Sequence, residues 1–206
     1  MKIEGGRCYR HRIHSVIAAS ALLCAAGAAL GSARVAPPGN LLRPFSTEPK
    51  TLPAWPVYNQ LTPELRAAIA RADGWHLVLG EGGQAELTTV RGEMRVQIAD
   101  GGSIWWAVQV SFLPLPLATG KTYEVRFKAR ADRPQLLTLD IAQVGTWYSY
   151  APRTDYPLTK QWQEFTTTFG MGKAASEPHA RFEFNLGHCP PNVITFEAVS
   201  VTERVA

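Results

Sequence analysis

The strongest constraint on this chain is an alternation of period two. Tyr123, Val125, Phe127 and Ala129 alternate with Glu124, Arg126, Lys128 and Arg130. Successive side chains of a strand point to opposite faces, so this segment is a strand with one face in a core and one in water. The pattern recurs. Trp75, Leu77 and Leu79 alternate, and Ala85–Val90 and Met94–Ile98 flank a turn at Arg91-Gly92-Glu93. After Asp100-Gly101-Gly102, Ile104–Phe112 reads as a long strand holding Trp105 and Trp106, which Pro114, Pro116 and Gly120 break. Leu137, Leu139 and Ile141 alternate with Thr138, Asp140 and Ala142. Phe165, Thr167 and Phe169 form another strand, then Phe182, Phe184 and Leu186 alternate with Arg181, Glu183 and Asn185. Val193–Thr202 closes the series. Eight to ten strands at this spacing predict an all-β fold, an antiparallel β-sandwich of jelly-roll type.

The region before Trp75 has another character. Lys2, Arg7, Arg10 and Arg12 precede an uncharged run, Ser15–Leu30, and then Gly31-Ser32-Ala33. The run is shorter than the roughly 20 residues of a membrane span. The order of basic, apolar and small residues predicts a signal peptide at 1–33, hence a secreted or periplasmic protein with no membrane attachment after cleavage. Of 21 Lys and Arg, four lie in this segment; of 17 acidic residues, one does, so the remainder carries a net +1. That balance offers no electrostatic footprint for nucleic acid. Residues 34–61 are rich in Pro, with a candidate first strand at Asn40–Phe45 that belongs to the domain spanning 62–206. One short helix is expected at 62–72. Thr62 caps it, Pro63 suits its first turn, and Leu65 and Ile69 give it an apolar stripe. Beyond the signal the chain keeps one cysteine, Cys189, so no internal disulfide is available and stability rests on core burial.

The order of short motifs carries a resemblance. Asp73-Gly74-Trp75 and Gly82-Gly83-Gln84-Ala85 come first, followed by Gly101-Gly102 and Trp106-Ala107-Val108-Gln109-Val110. Thr119-Gly120-Lys121-Thr122-Tyr123 runs on to Ala129-Arg130-Ala131. Leu158-Thr159, Trp162-Gln163, Ala180-Arg181-Phe182, Asn185-Leu186-Gly187 and Val193–Val201 complete the string. Over 73–202 the chain resembles the carbohydrate-binding modules of families 4 and 9, the type attached to cellulases and xylanases. The resemblance implies a galactose-binding-like jelly roll with a sugar-binding groove on its concave sheet. It implies a non-catalytic module whose partner is a polysaccharide or oligosaccharide, β-glucan or xylan-like. Such modules usually ride on a catalytic domain, and here the module either acts alone or delivers its glycan to a separate glycan-degrading enzyme. It requires no cofactor but implies, in many members, a structural calcium ion. The closing strand reads Phe196-Glu197-Ala198-Val199 where the family commonly has an aspartate pair, which leaves Glu197 as the one carboxylate offered for calcium.

A polysaccharide groove needs flat aromatic faces for pyranose rings and polar groups for hydroxyls, on one rigid surface. Strand phase sorts the candidates. With Val108 and Val110 inside, Gln109 faces out; with Phe184 and Leu186 inside, Asn185 and Glu183 face out; with Leu139 and Ile141 inside, Asp140 faces out. Gln109 and Asn185 also fall on the family string. Arg126 and Lys128 face out too, either on the groove or on a solvated outer face. Trp75 and Trp162 read as core, as does Trp106, in phase with Val108; Trp105 is then exposed or at a groove edge. Trp147, Tyr148 and Tyr150 follow Gly145 in a loop and are candidate sugar contacts. No catalytic motif is present. Two alternatives stay open at this point. A jelly-roll hydrolase would use Asp140 and Glu183, or a lyase Tyr148 or His188. A cell-surface or assembly domain of the same fold would bind protein.

Overall fold

In a computed structural model the described residues are 37–45, 50–53, 63, 67, 71, 73–144, 148–172 and 177–205. Eleven strands are found among them: β1 Lys50–Pro53, β2 Gly74–Leu79, β3 Gln84–Val90, β4 Glu93–Asp100, β5 Val108–Leu117, β6 Thr122–Ala131, β7 Gln135–Gln143, β8 Thr154–Leu158, β9 Gln163–Gly170, β10 Glu177–Asn185 and β11 Asn192–Glu203. They form a six-stranded sheet, β1-β2-β5-β10-β7-β8, and a five-stranded sheet, β3-β4-β11-β6-β9. Every pairing is antiparallel except β1 with β2. The fold is an all-β sandwich.

The alternation seen in the sequence builds the core. Val110, Phe112, Leu139, Ile141, Phe182 and Phe184 from one sheet meet Val96, Val125, Phe127, Ile194 and Phe196 from the other, all almost fully buried. Phe184 stacks on Phe196 with ring centroids 4.5 Å apart and meets Phe127 edge-on at 5.0 Å, so it ties the two sheets together. Trp75 is core as expected. Its indole N–H donates to the Arg43 carbonyl at 3.0 Å, and Phe45, Phe112 and Phe182 surround it.

Several expectations are corrected. Asn40–Phe45 is not a strand. Asn40 forms one isolated bridge with Thr202, while Leu42 drops into the core. The strand of this region is instead β1, which runs parallel to β2. β5 begins at Val108 and continues through both prolines to Leu117. β2 ends opposite it at Gly74, which pairs with Leu113. Pro114 and Pro116 thus lie where β5 has no neighbour on that side and a missing N–H breaks no ladder. The helix expected at 62–72 falls on a segment that lies mostly outside the described residues, as do the segment 1–33 and Trp147.

Candidate functional site

The outer face of the six-stranded sheet carries a polar ladder. Backbone register places His76, Ser111, Glu183 and Asp140 side by side across four strands. The next row reads Val78, Gln109, Asn185, Thr138 and Asp155 across five. The same alternation that sends phenylalanines inward at 112, 182 and 184 turns these groups to the opposite face of the sheet. There His76, Ser111, Gln109, Asp140, Glu183 and Asn185 are nonetheless almost fully buried, so the expectation that they stand open to solvent is corrected.

The ladder is internally bonded. The Gln109 amide donates to Asn185 Oδ1 at 2.6 Å and to Glu183 Oε1 at 3.4 Å. Asn185 Nδ2 donates to the Thr138 carbonyl at 3.3 Å, and Thr138 Oγ1 donates to Asp155 Oδ1 at 2.6 Å. Arg181 Nε donates to Glu183 and Arg181 Nη1 to the Gln143 carbonyl. Arg153 Nε and Ser149 Oγ each donate to Asp140 Oδ2 at 3.1 Å. Two buried oxygens of the ladder, Ser111 Oγ and Asp140 Oδ1, have no hydrogen-bond partner. Burial pushes the Glu183 carboxyl above the ordinary carboxylate range, against the opposing pull of Arg181. Burial also pushes the His76 imidazole down, while its Nδ1 lies 2.9 Å from the Gly74 carbonyl.

At the β7–β8 end the ladder opens into a cleft of about 540 Å³, whose lining includes Trp105, Gln135, Thr138, Arg153, Asp155 and Asn185. Arg153 joins two parts of it: its guanidinium lies 5.0 Å from the centre of the Trp105 ring while its Nε holds Asp140. Trp105 sits in a turn fastened to the end of β10. Gly187 N–H donates to the Trp105 carbonyl at 2.9 Å, and His188 N–H to the Gly101 carbonyl at 2.7 Å. The fit is close. A Cβ on Gly187 would lie 2.3 Å from the Ile104 carbonyl oxygen. The Cys189 thiol lines the same cleft, lies 3.3 Å from the Leu186 carbonyl, and is pushed up by burial.

The structure thus brings Gln109, Asn185, Asp140 and Glu183 together on one face. It does not bring Arg126 and Lys128 there. Both lie on β6 in the five-stranded sheet, on its outer face, where Arg126 pairs with Glu124 at 2.5 Å and Lys128 with Glu197 at 3.6 Å. Of the two readings left open for them, the structure places them on the solvated one. The aromatic expectations also change. Trp105 and Trp106 precede β5, so strand phase does not govern them, and Trp106 is half-buried, not core. Trp162 is exposed, with the Arg130 guanidinium 5.0 Å from its ring centre. Tyr148 and Tyr150 flank Ser149, which bridges to Ala142 and turns its hydroxyl to the ladder. Tyr150 packs on the main core, and exposed Tyr148 meets it edge-on at 5.1 Å.

Asp140 and Glu183 are direct cross-strand neighbours, each engaged by a guanidinium. A hydrolase needs two carboxylates open to the scissile bond, whereas both of these are almost fully buried and held by arginine. The calcium implied for Glu197 does not fit the donors around it. Its carboxylate faces the Lys128 ammonium, and among the described residues no three His, Cys, Asp or Glu side chains gather. Sequence reasoning passed over Gln135, Thr138, Arg153 and Asp155. Thr138 is in phase with Asp140 and was within reach; Arg153 and Asp155 lie between Pro152 and Pro157, where no periodicity marks them.

Comparison with known proteins accounts for this architecture. The profile of the family described as "Carbohydrate binding domain", of the 4 and 9 type, matches residues 70–192, more than half of the chain. A solved CBM4 structure is 29% identical, covering 64% of this chain and 88% of its own, with a TM-score of 0.60. Two cellulose-binding domains of the Cellulomonas fimi β-1,4-glucanase C share the fold. The N-terminal one is 22% identical (65% of this chain, 93% of its own, TM-score 0.50); the second is 18% identical (80% of this chain, 100% of its own, TM-score 0.51). No curated protein matched the chain. The chain belongs to the carbohydrate-binding domain family of the 4 and 9 type, a non-catalytic module that binds polysaccharide or oligosaccharide.

Proposed function

We propose that the module is exported and binds a β-linked polysaccharide, β-glucan or xylan-like, at the cleft where the ladder opens. One observation carries this reading: the cleft unites an aromatic ring, Trp105, with a fixed row of donors and acceptors, Asn185, Thr138 and Asp155. An aromatic face receives the apolar face of a pyranose, and amide and carboxylate groups set in a rigid sheet select its hydroxyls. Gln109 lies one strand further in and orients Asn185. The bound glycan is then presented to a separate glycan-degrading enzyme. Export follows from the basic, apolar and small-residue order of residues 1–33.

The test is titration calorimetry of the protein with neutral β-glucan and xylan oligosaccharides. Trp105→Ala is expected to weaken binding up to about tenfold, a stacked aromatic contributing on the order of 0.5–1.5 kcal/mol beyond its buried area. Unchanged affinity in both Trp105→Ala and Asn185→Ala would remove the cleft from consideration. Cell fractionation with N-terminal sequencing tests export; a processed protein beginning at Arg34 is expected.

A further inference from the structure

The outer face of the five-stranded sheet holds a second concavity. It measures about 300 Å³, and its lining includes Glu93, Arg95, Arg130, Asp132 and Thr195. Register aligns Arg95, Thr195 and Arg130 in one row across β4, β11 and β6. The two arginines therefore stand two strand spacings apart, about 10 Å between Cα atoms, with a hydroxyl between them. Other cations along β6 are neutralised: Lys128 by Glu197 at 3.6 Å, Arg126 by Glu124 at 2.5 Å, and Lys121, just before the strand, by Glu203 at 2.6 Å. Arg95 and Arg130 differ. Among the described residues neither has an ion pair with a carboxylate, and Arg130 Nε is buried with no hydrogen-bond partner. Arg130 also lies against Trp162, whose side chain is exposed at the edge of this row.

We infer that this concavity is a second saccharide site, and that it takes a carboxylate-bearing sugar, a hexuronate unit of an acidic polysaccharide. Two unpaired guanidiniums either side of a hydroxyl fit one planar carboxylate, because guanidinium forks bond carboxylates in a fixed geometry. Glu93 and Asp132, also in the lining, accept hydrogen bonds from ring hydroxyls, and their charge disfavours a doubly charged phosphate more than a singly charged carboxylate. Trp162 supplies an aromatic surface beside them. The site lies on the sheet opposite the Trp105 cleft, so one module binds two glycan segments at once and links chains. This inference stands apart from the reading of the cleft, since no residue is shared.

Calorimetry of the full chain with a galacturonate tetrasaccharide, and separately with a neutral β-glucan oligosaccharide, tests it. The uronate is expected to bind without competing with the neutral ligand, and more weakly as salt rises. Arg95→Gln and Arg130→Gln are each expected to weaken uronate binding about tenfold and leave neutral binding unchanged. Trp105→Ala is expected to do the reverse. Exposed Arg95 is the variant that spares the fold, checked by its melting temperature. No uronate binding by the unmodified protein, its displacement by the neutral ligand, or wild-type uronate affinity in Arg95→Gln would each overturn the proposal. Loss of the neutral arm alone would count against the cleft and not against this site.

Discussion

Asn185 holds the centre of the ladder because its amide faces both ways: its oxygen receives Gln109 and its nitrogen reaches the Thr138 carbonyl. Asn185→Ala takes from Gln109 its shorter hydrogen bond, leaving it the 3.4 Å contact to Glu183, and takes from the Thr138 carbonyl its side-chain donor, all in a nearly closed setting. The expected cost is about 1–3 kcal/mol, read by urea unfolding. A second residue-scale prediction concerns pH. His76 is pushed down by burial, so between its folded value and the ordinary 6.5 the unfolded chain binds more protons than the folded one. Stability from His76 therefore rises as pH climbs toward 6.5 and is lost as pH falls through the folded value. Glu183 is pushed up by burial, so the folded chain holds its proton to higher pH, and its contribution falls as pH rises above the ordinary 4.5. Wherever the two ranges overlap, the slopes oppose each other. Melting temperature against pH separates them: His76→Gln is expected to remove the acid-side loss, and Glu183→Gln the decline on rising pH. Superimposable profiles for wild type and both variants would refute this assignment.

At the scale of elements, the turn that carries Trp105 owes its place to glycines. Gly187 meets the Ile104 carbonyl and Ala107 N–H so closely that any Cβ forces the turn off β10. Gly187→Ala is expected to cost about 1–3 kcal/mol, the scale of overpacking, and to weaken glycan binding by displacing Trp105. Thermal melting and calorimetry together read both effects, and wild-type values in both would refute the coupling. The same turn shows where the sequence is legible and where it is not. Strand phase is a local property, and it placed Gln109, Asn185, Asp140 and Glu183 on an outer face, as it placed Phe127 and Phe184 in the core. It failed at Trp105 and Trp106, because a turn set by close glycine packing has no period. It also took Pro114 and Pro116 as the end of a strand. Whether a proline breaks a ladder depends on where the neighbouring strand stops, and only the pairing of Gly74 with Leu113 reveals that. β8 escaped notice for a related reason: Pro157 sits on an edge strand, where its missing N–H faces no partner. Phase likewise cannot say which sheet a strand joins. Arg126 and Lys128 alternate as cleanly as Asn185, yet β6 lies in the other sheet.

For the whole molecule, the sandwich separates its two jobs by face. The inner faces join in one aromatic core, in which Phe184→Ala is expected to cost about 3–5 kcal/mol. That core supports two outer faces; Cys189 is a free thiol, and the Glu197 carboxylate faces the Lys128 ammonium. Ligand and metal removal therefore have different expected outcomes. A glycan that binds only the folded chain stabilises it by mass action, by about 2.7 kcal/mol at one hundred times its dissociation constant. For a domain of this size that raises the melting temperature by roughly 5–10 °C. EDTA is expected to leave both the melting temperature and the glycan affinity unchanged. A fall on chelation, restored by calcium, would locate a metal outside the carboxylate set considered for it. A melting temperature indifferent to every neutral β-linked oligosaccharide at such excess would instead remove the proposed ligand class, leaving the fold and its family in place.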